Sequence, residues 1–126
     1  MDNFVLELFQ QIGAKEIKKE KLGEYKKLIS RIVELSEKAR KEGIIALEPA
    51  MHKEKDLLRS GLCMLIDGYE RSWIMEILCT RIIADNYRNF MKRIIMLQGI
   101  KCIHDGENPR IVEERLNSFL WRSIIC

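Results

Sequence analysis

Imidazole and thiol side chains are the first candidates for chemistry in this chain, because together they can bind zinc. The set comprises His52, His104, Cys63, Cys79 and Cys102. Zn²⁺ accepts tetrahedral sets of such ligands, and structural sites usually draw them from closely spaced pairs. Only Cys102-x-His104 forms a close pair here, and isolated cysteines in apolar helical patterns are common core residues. We therefore assign these residues a structural role and predict no metal site.

Motifs that support other kinds of catalysis are missing from the sequence. It contains no Gly-rich phosphate loop, no G-x-S-x-G nucleophile elbow and no H-E-x-x-H helix. Each of these motifs places a nucleophile, a base or a metal where a reaction needs it, so the chain has no candidate catalytic constellation. We predict that the protein is not an enzyme and uses no cofactor.

Arg40 and Glu48 are candidate partner-contact residues, because they carry opposite charges and lie eight positions apart. Eight residues are slightly more than two helical turns, so an unbroken helix would present both side chains on one face. Opposite charges on one face can complement the potential of a partner surface. The alternative interpretation is ordinary solvated charge, which describes most ions on protein surfaces.

The composition indicates one small helical domain. The chain has 126 residues and is 47% hydrophobic, which is enough for one modest core and too little for two. Its 22 basic and 19 acidic residues are interleaved and leave a net charge of +3, so no strong basic field indicates nucleic-acid binding. Because polar and β-branched residues do not alternate over any long stretch, we predict an all-α domain of antiparallel helices.

The protein is expected to be cytoplasmic and not to cross a membrane. Its most apolar segment, Ser72 to Ala84, is interrupted by Glu76 and Arg81, whereas a span needs roughly 18 apolar residues in a row. The N-terminus lacks the basic region and the long apolar stretch of a secretory signal. Four widely spaced cysteines without a C-x-x-C pair agree with a reducing compartment.

The N-terminal part of the chain is predicted to differ from the rest. Apolar residues at helical spacing predict a helix over Phe4 to Ile12. The following stretch, Lys15 to Lys27, is almost entirely Lys and Glu, and is either a solvated linker or a charged helix face. We assign residues 1–24 to this N-terminal helix and linker, residues 25–120 to a helical module, and residues 121–126 to an apolar tail.

The module is predicted to contain several amphipathic helices. The first runs from Tyr25 to about Glu42, with Gly43 as its C-cap unless the helix continues through the glycine. Pro49 should end that element, because proline cannot donate to the helix ladder. The later apolar stripes predict a helix over residues 53–66, one long helix over residues 73–97, and a last helix with Asn108 as N-cap and Pro109 at its first position.

An internal repeat relates residues 61–78 to residues 99–116. Each copy reads as a helix, an Asp-Gly turn and a second helix, with the turns at Asp67-Gly68 and Asp105-Gly106. Glycine supplies the turn geometry, and the flanking Leu and Ile residues can meet across the hairpin. Two copies predict a pair of helical hairpins and not a solenoid, which usually needs three or more units.

Three segments carry a family resemblance. They are residues 32–48, residues 58–78, and residues 97–116 with the string Gly106-Glu-Asn-Pro-Arg110. Together they resemble the cytoplasmic parts of MotA-type stator subunits of the bacterial flagellar motor, in the MotA/TolQ/ExbB proton channel family. The resemblance covers about Tyr25 to Leu120, and the Gly-Glu-Asn-Pro-Arg string is its most specific element.

The resemblance implies a cytoplasmic module that faces the rotor, without ion conduction. Family members have two membrane helices where this chain has only Thr80 to Met96. In the family, an arginine and a glutamate of the first segment contact the rotor protein FliG, and the matching positions are Arg40 and Glu48. We therefore expect a protein partner, FliG or a stator component. The chain departs from the family at Glu70-Arg71, where Asp-Pro is usual, which predicts a weak N-cap for the helix that follows.

Two other functions stay open from the sequence. An oligomerising structural protein would cover its apolar end, Trp121 to Cys126, with a second copy. A peripheral membrane protein would insert the apolar face of Phe4 to Ile12 and set Lys15 and its basic neighbours against anionic lipid. The methionines, together with Trp73 and Trp121, could form an adaptable docking surface, although such residues more often belong to the core.

Overall fold

The computed structural model describes residues 19–121, and its regular elements in that range are helices without any strand. The α-helices are α1 (Lys19–Glu42), α2 (Glu48–Lys53), α3 (Asp56–Ile66), α4 (Arg71–Ala84), α5 (Phe90–His104) and α6 (Pro109–Asn117). Short 3-10 turns follow α1 (Ile44–Leu47) and α6 (Ser118–Leu120). The predicted all-α fold is confirmed, whereas the helix predicted over Phe4 to Ile12 and the tail after Trp121 lie outside the described residues.

Helix α5 is the centre of the fold. Every residue from Arg93 to Ile103 is buried, because α1, α3, α4 and α6 all pack against α5. The buried hydrophobic residues of the described helices form one core, which includes Ile32, Leu62, Leu78 and Leu116. Burial of each such side chain contributes about 1.5–3 kcal/mol, so this shared core is the main driving force for folding.

Helix α1 begins before the predicted start of the module. Residues Lys19 to Lys27 lie in α1, so this part of the charged stretch is a helix face, and the boundary drawn after residue 24 falls inside a helix. The helix buries Leu28, Ile29 and Ile32 at the spacing of one apolar face. That face packs against both α5 and α6.

The connection after α1 confirms one prediction and corrects another. Gly43 has a φ of 91° and its N–H donates to the carbonyl of Ala39 at 2.9 Å, so the glycine C-cap is confirmed and a helix continuing through it is wrong. Pro49 does not end the element as predicted, since it lies in the first turn of α2. Proline is tolerated there because the first amides of a helix have no intrahelical acceptor.

Two helices replace the single long helix predicted over residues 73–97. The chain breaks after α4, where Asn86, Tyr87 and Asn89 adopt left-handed backbone conformations. The N–H of Asn86 donates to the carbonyl of Ile83, and the N–H of Tyr87 donates to that of Ile82, both at 3.0 Å. This is a Schellman-type helix end with asparagine in the place that glycine usually takes. The apolar stripe continues across the break, so periodicity alone did not reveal it.

The Asp-Gly turns end α3 and α5 in the same way, which confirms the internal repeat. Gly68 and Gly106 have φ angles of 79° and 66°, which glycine adopts without a steric penalty. Each follows its aspartate, Asp67 or Asp105, at the C-cap. The amide after each glycine donates to the carbonyl five residues earlier, at 3.0 and 3.2 Å, which completes a Schellman motif in both copies.

The first residues of the later helices agree only partly with those predicted from the sequence. Asn108 caps α6 as predicted, since its Oδ1 accepts the N–H of Arg110 at 2.9 Å. Glu70 makes no side-chain hydrogen bond at the start of α4, in line with the weak cap predicted there. Helix α3 begins at Asp56 and not at Lys53, because Lys53 is the last residue of α2.

Candidate partner-docking site

The connection between α1 and α2 carries both residues that the sequence singled out. Arg40 lies in the last turn of α1 and Glu48 is the first residue of α2, and both are exposed. Because α1 ends at Glu42, no unbroken helix joins the two residues, and the condition under which they would share one face is not met. They lie on either side of a short turn. We call residues 40–48 the docking loop.

Helix ends explain why the fold accepts these charges. Arg40 and Lys41 lie at the C-terminal end of α1, where unpaired carbonyls create a partial negative charge. Glu48 lies at the N-terminal end of α2, where free amides create a partial positive charge. Both positions are therefore locally favourable, whether or not a partner is bound.

Arg40 and Glu48 form few interactions with other side chains of the described structure. Arg40 is exposed and forms no ion pair with any residue whose side chain the structure describes. The Oε1 of Glu48 lies 3.9 Å from Nε2 of His52, which is an ion pair only when the imidazole is protonated. In contrast, Arg31 makes two hydrogen bonds to Glu54, at 3.2 and 3.3 Å. Arg40 and Glu48 thus remain available to a partner.

Ile45 is a docking-loop residue that the sequence analysis missed. Its side chain is 73% exposed, the largest value among the exposed large hydrophobic residues of the described chain. Leu47, two residues later, is fully buried. An apolar side chain between opposite charges resembles the usual anatomy of an interface, with an apolar centre and a polar rim. Gly43 was the available signal, because a helix that ends there is followed by a turn whose apolar residues need not all face the core.

The strongest internal charge cluster lies at the start of α5. The Arg93 side chain is 9% exposed, and its Nη1 lies 2.6 Å from Oδ2 of Asp85. Its Nε and Nη2 each lie 3.2 Å from the carboxylate of Asp56. Burial lowers the pKa of Arg93, but its hydrogen bonds to Asp56 and Asp85 outweigh this effect and leave the pKa above its usual value. The cluster joins the start of α3, the end of α4 and α5, so its role is structural.

The residues considered as zinc ligands do not converge. Within residues 21–121, no three His, Cys, Asp or Glu side chains are placed to hold a metal ion. Cys102 is fully buried, and burial, with the nearby Glu107 carboxylate, raises the pKa of its thiol to about 12. Zinc binding and nucleophilic attack both require the thiolate, which this environment disfavours.

Thiol labelling should distinguish Cys63 from Cys102. Cys63 is exposed and should react quickly with an aromatic disulfide reagent at mildly alkaline pH, whereas Cys102 should react only when the protein unfolds. The measurement is the absorbance of the released thiolate in a Cys126→Ser background. Adding Cys63→Ser should remove the fast phase, and a fast phase that persists in that double variant would show that a core thiol is accessible.

The described helices form a small all-α domain, and the connection between α1 and α2 exposes the candidate contact residues Arg40, Ile45 and Glu48. None of the helices in residues 19–121 is long and apolar enough to cross a membrane. No protein-family model matches the chain, and no curated protein matches it either. The likeness to MotA-type stator subunits therefore depends on the segments quoted above.

Proposed function

We propose that this protein is a non-catalytic binding module that docks on a flagellar rotor or stator protein, FliG being the leading candidate, and modulates the motor without conducting ions. It acts on the cytoplasmic side. The observation that carries the proposal is the docking loop, in which Arg40 is exposed and forms no ion pair within residues 21–121, and Ile45 is 73% exposed. Glu48 adds an exposed charge of the opposite sign.

The three side chains would contribute in different ways. Burial of an isoleucine side chain contributes about 1.5–3 kcal/mol, whereas an exposed ion pair contributes about 0.2–1 kcal/mol. Ile45 would therefore supply most of the affinity. Arg40 and Glu48 would set orientation and association rate, because complementary charges steer the encounter and penalise the wrong register. The surface that fits has an apolar depression between an acidic and a basic side chain.

The family-like string has structural roles in this chain. Gly106 forms the turn after α5, Asn108 caps α6, and Pro109 begins that helix. These roles are structural and hold α6 against α1 and α5. The functional part of the resemblance depends instead on Arg40 and Glu48 at the matching positions of the first segment.

Titration of the purified protein against labelled FliG, followed by fluorescence anisotropy at low salt, tests this proposal. Arg40→Ala and Glu48→Ala should each weaken binding about fivefold, and Ile45→Ala about tenfold or more. Higher salt should weaken the wild-type complex and have little further effect on a variant that lacks both charges.

Matched controls come from exposed charges outside the docking loop. Arg59→Ala on α3 and Glu34→Ala on α1 remove exposed side chains of the same types, and both should bind like wild type. The proposal fails if wild-type protein does not bind FliG or a stator component at low salt, or if the docking-loop variants bind as well as these controls.

A further inference from the structure

Helix α4 has one face that the rest of the described fold leaves uncovered. Its buried side consists of Ile74, Met75, Leu78, Cys79 and Ile82. On the other side, Trp73 is 58% exposed and Ile83 is 45% exposed. Large apolar side chains that share an exposed helix face are typical of an interaction surface. We call this side the outer face of α4.

The spacing along the outer face matches a coiled-coil seam. Trp73, Ile77, Thr80 and Ala84 follow one another at intervals of four, three and four residues, which is the d-a-d-a spacing of a heptad repeat. Ile77 is half-buried, because it also packs against the core, and the other three residues are exposed. The Thr80 hydroxyl donates to the carbonyl of Glu76 at 2.8 Å. Burial of Thr80 in an interface would therefore leave its hydroxyl donor satisfied. The occupant that fits such a seam is another helix with the same spacing.

The charged residues beside the seam indicate which helix would bind to it. Glu76 and Arg81 occupy the g and e positions that flank it, both are exposed, and neither forms an ion pair within residues 21–121. In a parallel two-stranded coil, a g residue faces the e residue five positions later on the other helix. Glu76 would therefore face Arg81 of a second copy, and two-fold symmetry would form this pair twice. An antiparallel arrangement would instead bring like charges together.

We propose that the outer face of α4 binds the same face of a second copy of this chain, as a parallel seam centred on Ile77 and Thr80. Two heptads bury a small area, so the dimer is weak, with a Kd between about 1 μM and about 1 mM. The helices are already formed in each monomer, so association costs little additional conformational entropy. This surface is distinct from the docking loop, so self-association and rotor docking are separate properties.

Sedimentation equilibrium of the full chain, up to about 1 mM protein, tests the proposal with charge swaps. Glu76→Arg and Arg81→Glu should each weaken dimerisation about tenfold, because two attractive pairs become repulsive. The variant that carries both substitutions should recover the wild-type affinity. An equimolar mixture of the two single variants should also associate, since each then meets the opposite charge. Both residues are exposed, so far-UV circular dichroism should show unchanged folding.

Two tryptophans provide the matched control for the apolar seam. Trp73→Ala should weaken the dimer, whereas Trp121→Ala, which removes a tryptophan that is 56% exposed beyond α6, should not. A wild-type protein that stays monomeric at about 1 mM would overturn the proposal. So would a dimer that is unaffected by both charge reversals, or one that is lost with Trp121→Ala.

Discussion

Replacement of Arg93 by methionine should lower the free energy of unfolding by about 1.5–2 kcal/mol. Methionine keeps much of the apolar stem and removes the guanidinium, so the Asp56 and Asp85 carboxylates lose a partner that lies within 3.2 Å of both. The Asp56 and Asp85 side chains are 29% and 44% exposed, so water replaces part of the lost interaction and the cost is smaller than for a fully buried cluster. Urea denaturation followed by far-UV circular dichroism measures the change.

Arg31→Met is the matched control for this prediction. Arg31 also makes two hydrogen bonds to a carboxylate, but its side chain is 48% exposed, so water can replace the pair. We expect a loss below about 1 kcal/mol for Arg31→Met. Equal losses for the two substitutions would mean that the Arg93 cluster does not join the helices as described.

Gly99→Ala should destabilise the protein by about 2 kcal/mol. A Cβ atom at Gly99 would lie 2.7 Å from Cγ2 of Ile32 and 3.0 Å from its Cδ1, which is too close for normal contact. Ile32 is fully buried on α1, so relief requires α1 and α5 to move apart. Thermal and urea unfolding of the variant measure the loss.

Two further variants separate this close packing from a general effect of alanine. Gly23→Ala, in an exposed part of α1 with no atom near the added Cβ, should stabilise the helix by about 0.5–1 kcal/mol. In an Ile32→Ala background, Gly99→Ala should cost much less than it does alone, because the clashing atoms are gone. A penalty of the same size in that background would contradict the proposed contact.

Features that depend on neighbours in sequence could be predicted. The Asp-Gly turns, the glycine at the end of α1 and the Asn108 cap all follow from the conformational preferences of single residues. The repeated glycines Gly61 and Gly99 were visible as matching positions. The role of these glycines could not be predicted, because it depends on contacts with other helices. Gly61 lies against Ile100, and Gly99 lies against Ile32.

Features that depend on distant residues could not be predicted. Arg93 meets Asp56 across 37 positions of sequence, and no local pattern indicates such a pair. The break between α4 and α5 depends on left-handed conformations at Asn86, Tyr87 and Asn89, which asparagine adopts more readily than most residues but adopts only at some of its positions. The apolar stripe on either side of the break gave no sign of it.

The candidate site was predicted in part. Arg40 and Glu48 followed from charge, spacing and the family resemblance, and both are exposed as a docking role requires. The two residues do not lie on one unbroken helix, because α1 ends before Gly43, between them. Ile45 lies in the turn that follows this helix end and is exposed. The end of α1 before Gly43 therefore separates the two charges and also places an apolar side chain between them.

Chemical-shift mapping of the isotope-labelled protein during titration with unlabelled FliG tests the docking claim most directly. We expect the largest backbone amide shifts to fall within residues 40–48, while the outer face of α4 changes little. Shifts concentrated on α4 or α6, or no shifts at saturating FliG, would contradict it.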